Sequence, residues 1–143
     1  MKFSYLIKAF LFPIMVLVIH AFIYFLEFYE KYFWIDIPMH FLGGLSVALM
    51  FMMIITDLNK RNIVEDLQLS VLFIFVISFV SLAAVLWEFF EFGMDSIFLI
   101  GFQGGLRDTL ADLFFGLIGG LAGFLTFTEG FKEELEEKIH LVL

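Results

Sequence analysis

Apolar residues along this chain gather into four long runs separated by short polar stretches. The runs cover about 9–28, "AFLFPIMVLVIHAFIYFLEF"; 38–56, "PMHFLGGLSVALMFMMIIT"; 65–92; and 108–127, "DTLADLFFGLIGGLAGFLTF". Each is close to the roughly 20 residues a helix needs to cross the hydrocarbon core of a bilayer. The period-two alternation of a barrel strand is missing, and in lipid a segment that is not in a closed barrel must satisfy its backbone groups internally. The pattern therefore predicts an all-α integral membrane protein, a four-helix transmembrane bundle forming a single domain over 1–143. Pro13 falls near the start of the first run, and Pro38 in the first turn of the second, where proline is favoured. Asn62 and Glu65 have the spacing of a capping box ahead of the third run. The longest connection, 93–107, reads "GMDSIFLIGFQGGLR" and could dip back into the membrane surface or cover a site. In the tail, 129–143, Phe131, Leu135, Ile139 and Val142 recur at helical spacing among acids, as in a solvated or interface-lying amphipathic helix.

Composition strengthens the membrane assignment. Hydrophobic residues make up 62% of the chain, with 22 phenylalanines and a mean hydropathy of +1.02. Soluble domains average about 45–50% apolar residues, and one of this size could not bury such a surplus. Lys2 and Lys8 precede the first run as in a signal peptide, but the run ends in "YFLEFYEKYF" without a small-residue cleavage site, so it is read as a retained span. Cysteine is absent, which excludes disulfides, thiolate metal sites and a cysteine nucleophile. A net charge of −8 argues against nucleic acid as a partner.

Charge placement sets an expected orientation. In a four-span topology Lys2, Lys8, Lys60, Arg61, Lys132 and Lys138 share one side, and only Lys31 and Arg107 occupy the other. By the positive-inside rule both termini are cytoplasmic, in an inner cell membrane.

The same topology brings distant polar residues to one level. Asp36 and His40 open the second span; Glu88, Glu91 and Asp95 close the third, in "WEFFEFGMD"; Asp108 and Asp112 open the fourth. Separations of four, three and four place Asp36/His40, Glu88/Glu91 and Asp108/Asp112 each on one helix face. At 1.5 Å per residue His40, Glu88 and Asp112 lie on the order of 10–13 Å from the midplane. Such a cluster must take up protons, admit water or hold a cation, because unpaired like charges repel strongly at low dielectric. A divalent metal would use these ligand types. Imidazole with carboxylates suits zinc, manganese or iron, and carboxylates alone suit magnesium or calcium. The candidate ligands are His40, Glu88, Glu91, Asp108 and Asp112, with Asp36, Gln103 and Arg107 as candidate substrate contacts.

Plainer readings stand beside these. Glu91, Asp95 and Asp108 can mark the water interface, and Asp36 and Asp108 can cap helices. His20, alone in the first span, reads as a structural polar contact; Tyr29, Tyr32 and Trp34 read as aromatic-belt anchors. Gly116, Gly119, Gly120 and Gly123 form two small-xxx-small pairs. These suit close packing inside the bundle or association of copies into a homo-oligomer.

The segments "DIPMHFLGG", "WEFFE" and "GFQGGLRDTLADLFFGLIGGLAG" resemble those of the YjdF-like bacterial membrane proteins. That family shares an Asp-x-x-x-His-Phe-x-x-Gly, a Glu-x-x-Glu and a Gln-Gly-x-x-x-Asp-x-x-x-Asp segment. More distantly the chain is similar to VanZ-like proteins, a group associated with glycopeptide resistance. The resemblance covers about 36–123 and implies that Asp36, His40, Glu88, Glu91, Gln103, Asp108 and Asp112 are shared polar positions. Gly116 stands where the VanZ-like pattern has an asparagine. The motifs of membrane lipid phosphatases and of alcohol phosphatidyltransferases are missing. Three readings follow: a metal-dependent enzyme acting on a lipid or cell-envelope precursor, a non-catalytic lipid- or drug-binding membrane protein, and a proton- or cation-coupled transporter working as an oligomer.

Overall fold

A computed structural model describes residues 3–65, 67–98, 101 and 104–140, with side chains from Ile7 to Glu129 among them. The elements, in order, are α1 (Phe3–Phe25), α2 (Phe28–Lys31), a 3-10 turn (Phe33–Ile35), α3 (Asp36–Lys60), α4 (Leu69–Phe98) and α5 (Leu106–His140). Four helices are long and apolar enough to span a membrane: Ile7–Phe25, Phe33–Lys60, Leu69–Phe98 and Leu106–Glu129. Their outer faces carry large exposed side chains such as Phe22, Phe75, Phe89 and Phe114, the surface that lipid solvates. At about 1.5 Å per residue α5 is roughly 50 Å long, well beyond a ~30 Å hydrocarbon core, so one end must project past it.

Helix α3 is the hub, packed on α1, α4 and most closely α5. The closeness comes from glycine. A Cβ on Gly44 would overlap the backbone carbonyl of Gly116, and one on Gly119 would overlap that of Phe41. Gly123 meets Leu45 and Ala48 of α3, while Gly120 faces Val80 of α4. Gly116, Gly119, Gly120 and Gly123 are thus consumed by packing within the chain, and a contact between copies through them would have to displace α3 or α4. Ala48, Met52, Val76, Val80 and Phe124 form the buried apolar core. The core sits toward the later part of α3 and the earlier part of α4, which leaves the other end of the bundle to the polar residues.

Three local expectations are corrected. Asn62 does not open the third span; it closes the second. It adopts a left-handed φ of 57°, its N–H bonds to the Asn59 carbonyl at 2.8 Å, and the N–H of Ile63 reaches back to Leu58 at 3.0 Å. This is the Schellman pattern, with asparagine in the position glycine usually takes, and α4 begins only at Leu69. Pro13 lies inside α1 and not near its start, since that helix already runs from Phe3. Finally, α4 continues through Gly93 to Phe98, because apolar Met94, Ile97 and Phe98 prolong the helix. The expected 93–107 connection is therefore helical through Phe98 and again from Leu106. In the tail, α5 continues to His140; the faces of Phe131, Leu135 and Ile139, and all of Val142, lie outside the described side chains and residues.

Candidate functional site

The polar ends of α3, α4 and α5 meet around His40. Its Nε2 stands 3.3 Å from Asp36 Oδ1, one turn earlier on α3, and 3.6 Å from Asp112 Oδ1 on α5. Asp36, the first residue of its helix, turns its carboxylate to the imidazole. One ligand atom from each of Asp36, His40 and Asp112 falls within 4.8 Å of the others, and the same holds for His40, Glu88 and Glu91. His40 therefore joins two groups that together draw on three helices. Gly44 and Gly116 make this approach feasible, because they let α3 and α5 touch backbone to backbone just one turn below His40.

Burial makes the cluster costly unless something satisfies it. Glu88, Glu91 and Asp112 are only 7, 6 and 2% exposed. Glu91 accepts a 2.8 Å hydrogen bond from Trp87 Nε1. Glu88 is different: the Thr109 side chain stands close by, yet neither Glu88 carboxylate oxygen has a hydrogen-bond partner. No lysine or arginine pairs with these acids among the described residues; the described Arg ion pair is Arg61–Asp57, at the opposite end of α3. An unpaired buried carboxylate is among the most unfavourable groups a fold can carry.

Above the cluster is a polar cavity of about 500 Å³, lined by residues including Glu27, Tyr29, Glu30, Asp36, Glu91 and Asp108. Beside it, between α1, α3 and α4, an apolar cavity of about 210 Å³ is lined by residues including Pro13, Leu17, Met39, Gly43, Val47 and Trp87, with His40 at its wall. His20 borders both.

Asp108 thus stands at the rim, in neither close group, with its carboxylate folded over Gly104. Arg107 is exposed and makes no ion pair among the described residues. Asp95, on the last turns of α4, is outside both groups as well. Gln103 lies outside the described residues.

Two further residues, Tyr29 and His20, belong to the wall of the polar cavity. The Tyr29 hydroxyl shares a 2.7 Å hydrogen bond with His20 Nδ1, a contact the sequence did not signal. Burial, reinforced by Asp36, Glu91 and Asp112, holds the Tyr29 phenol protonated well above the ordinary tyrosine range. His20 in turn packs edge-on against Trp87, ring centroids 5.0 Å apart, and so ties α1 to α4 above the apolar cavity. The chain reverses direction between these partners at Glu27, whose φ is 56°. The Trp87/Glu91 pair at helical spacing was a signal available in the sequence; the His20–Tyr29 pair, set across that reversal, was not.

Comparison with known proteins agrees with the membrane architecture. Residues 1–132 match a family described as "Predicted membrane protein (DUF2238)", and the chain belongs to that family. An uncharacterized protein of Thermotoga maritima is 38% identical over 96 residues, which are 66% of this chain and 48% of that protein. The chain spans about half the length of this curated relative. No solved structure matches it.

Proposed function

We propose that this DUF2238 membrane protein binds a divalent metal ion at His40, Asp36, Asp112, Glu88 and Glu91, and uses it as an enzyme on a lipid or cell-envelope precursor. The observation that carries the reading is the buried Glu88 carboxylate, without a hydrogen-bond partner, beside an imidazole shared by two acidic groups. The spacing supports it too. Neighbouring donors bound about 2.0–2.2 Å from one ion at a near-tetrahedral angle lie roughly 3.3–3.6 Å apart, close to the 3.3 and 3.6 Å between His40 Nε2 and its two aspartates. Glu88 and Glu91 form the second group around the same imidazole, from which the remaining ligands would come. The mixed nitrogen and oxygen donors favour zinc, manganese or iron over magnesium.

A bound metal would polarise an oxygen of the substrate or supply a metal-activated water, and a carboxylate left outside its coordination would act as general base. Asp108, at the cavity rim, is placed for contact with the incoming substrate, and Arg107 lies next to it in sequence. The charge distribution along the chain supports a cytoplasmic location for both termini, in an inner membrane, with the site facing outward. The motif resemblance to YjdF-like and VanZ-like proteins fits an envelope-directed role.

The test is Glu88→Gln, a neutral near-isostere. Metal affinity measured by equilibrium dialysis should fall roughly 100-fold or more, since even loss of groups supporting metal ligands costs 10–100-fold. If Glu88 were merely a buried acid, Glu88→Gln would leave affinity unchanged and raise thermal stability by removing an unpaired charge. That pair of results would sink the proposal.

A further inference from the structure

We infer that the two cavities form one amphiphile site, in which the apolar cleft between α1 and α4 holds a hydrocarbon chain and the acidic vestibule holds a positively charged head. The inference deepens the enzyme reading by naming its substrate class, and it rests on that reading for the chemistry at the head.

The cleft follows from how α1 is packed. That helix lies along α3 and does not pack its backbone closely on α4; the His20–Trp87 edge contact bridges the gap at one end. Below the bridge the cavity walls come from the flanks of three helices, with Leu17, Met39, Val47 and Ala83 supplying apolar surface and Gly43 leaving room. An engineered cavity of ~150 Å³ already accepts benzene, and this one measures about 210 Å³. Its walls come from membrane-spanning helices, so its occupant lies at the level of the bilayer hydrocarbon, where a lipid chain is the solute at hand.

The vestibule decides the head. Glu27, Glu30, Asp36, Glu91 and Asp108 line it, and among the described residues neither lysine nor arginine does. A divalent ion at His40 would offset only part of that charge, so the remaining field favours an ammonium-bearing head and repels a bare phosphate. His20 borders both cavities, and His40 and Trp87 on the apolar side are bonded to Asp36 and Glu91 on the polar side. Head and chain of one molecule would therefore meet at the metal-site residues. That junction is where a reaction on the polar end of a lipid would have to take place.

Gly43 provides a clean probe. An added Cβ there meets nothing within 4 Å, so the side chain of Gly43→Leu starts in open space on the cleft wall and is expected to fill the cleft. The full-length protein in detergent would be irradiated with two photoreactive probes. Both carry the same long saturated chain with a terminal diazirine; one has a trimethylammonium head and the other a phosphate monoester head. The ammonium probe should label cleft residues of α1 and α4 saturably, and Gly43→Leu should reduce that labelling to background while metal content stays unchanged. Equal labelling of Gly43→Leu, or preference for the phosphate probe, overturns the inference. Protein that retains metal yet is not labelled refutes this inference alone; labelling of protein that binds no metal upholds the cleft and refutes the metal reading.

Discussion

Replacing His40 with alanine is expected to strip the protein of bound divalent metal, the largest functional effect of any single substitution here. The imidazole is the one nitrogen donor common to both acidic groups, and it touches Asp36 and Asp112 directly. Carboxylates alone would remain, a donor set that favours magnesium or calcium over zinc, manganese or iron. Zinc or manganese retained through dialysis should therefore drop from stoichiometric to trace. The variant also loses stability, because Asp112, 2% exposed, is left without its partner; breaking a buried pair typically costs about 3–5 kcal/mol. To separate the two effects, Asp112→Asn is added to His40→Ala. The double variant lacks the orphaned charge and should recover much of the thermal stability while still failing to retain metal. Recovery of metal along with stability would mean that His40 holds the fold and not an ion.

The second large effect is structural. Gly44→Ala should destabilise the protein severely, although it adds a single methyl group. That methyl would collide with the backbone carbonyl of Gly116, which cannot swing aside as a flexible side chain can. Overpacking a core costs typically about 1–3 kcal/mol, and a backbone clash on the closest helix pair belongs at or above the upper end. The neighbouring Gly43→Ala, facing open space, should melt like the wild type. Thermal unfolding of both variants in one detergent makes the comparison. A second consequence follows from distance: a wedge at Gly44 pushes α3 off α5 one turn from His40 and lengthens the 3.6 Å approach to Asp112. Metal affinity should therefore fall in Gly44→Ala although no ligand is altered. Equal melting of the two alanine variants would refute the backbone-to-backbone packing of α3 on α5.

Much of this arrangement was legible before any coordinates. Hydropathy located four helices because lipid leaves the backbone no alternative, and the helical spacing of Asp36/His40 and Glu88/Glu91 put each pair on one face. Glycines at 116, 119, 120 and 123 announced a close helix contact. The sequence could not say which partner they meet, and the structure assigns them to α3 and α4. Other features depend on chain reversals that no periodicity records. Tyr29 reaches His20 only because the backbone turns at Glu27, and Asn62 ends one helix where its spacing to Glu65 suggested the start of another. Gly93 misled for a different reason: glycine in an apolar helix is tolerated when the residues after it keep the lipid-facing pattern, so α4 runs on to Phe98. Asp108 was grouped with Asp112 by spacing alone, but of the two only Asp112 comes within 4.8 Å of His40 and Asp36.

The central claim is that the buried acids around His40 exist to hold a metal ion. Anomalous diffraction from crystals of the wild-type protein equilibrated with zinc or manganese tests it most directly. The account predicts one strong peak within bonding distance of His40 and of carboxylate oxygens from Asp36, Asp112, Glu88 or Glu91. A map with no peak there at saturating metal, and with Glu88 hydrogen-bonded to ordered water, would contradict it.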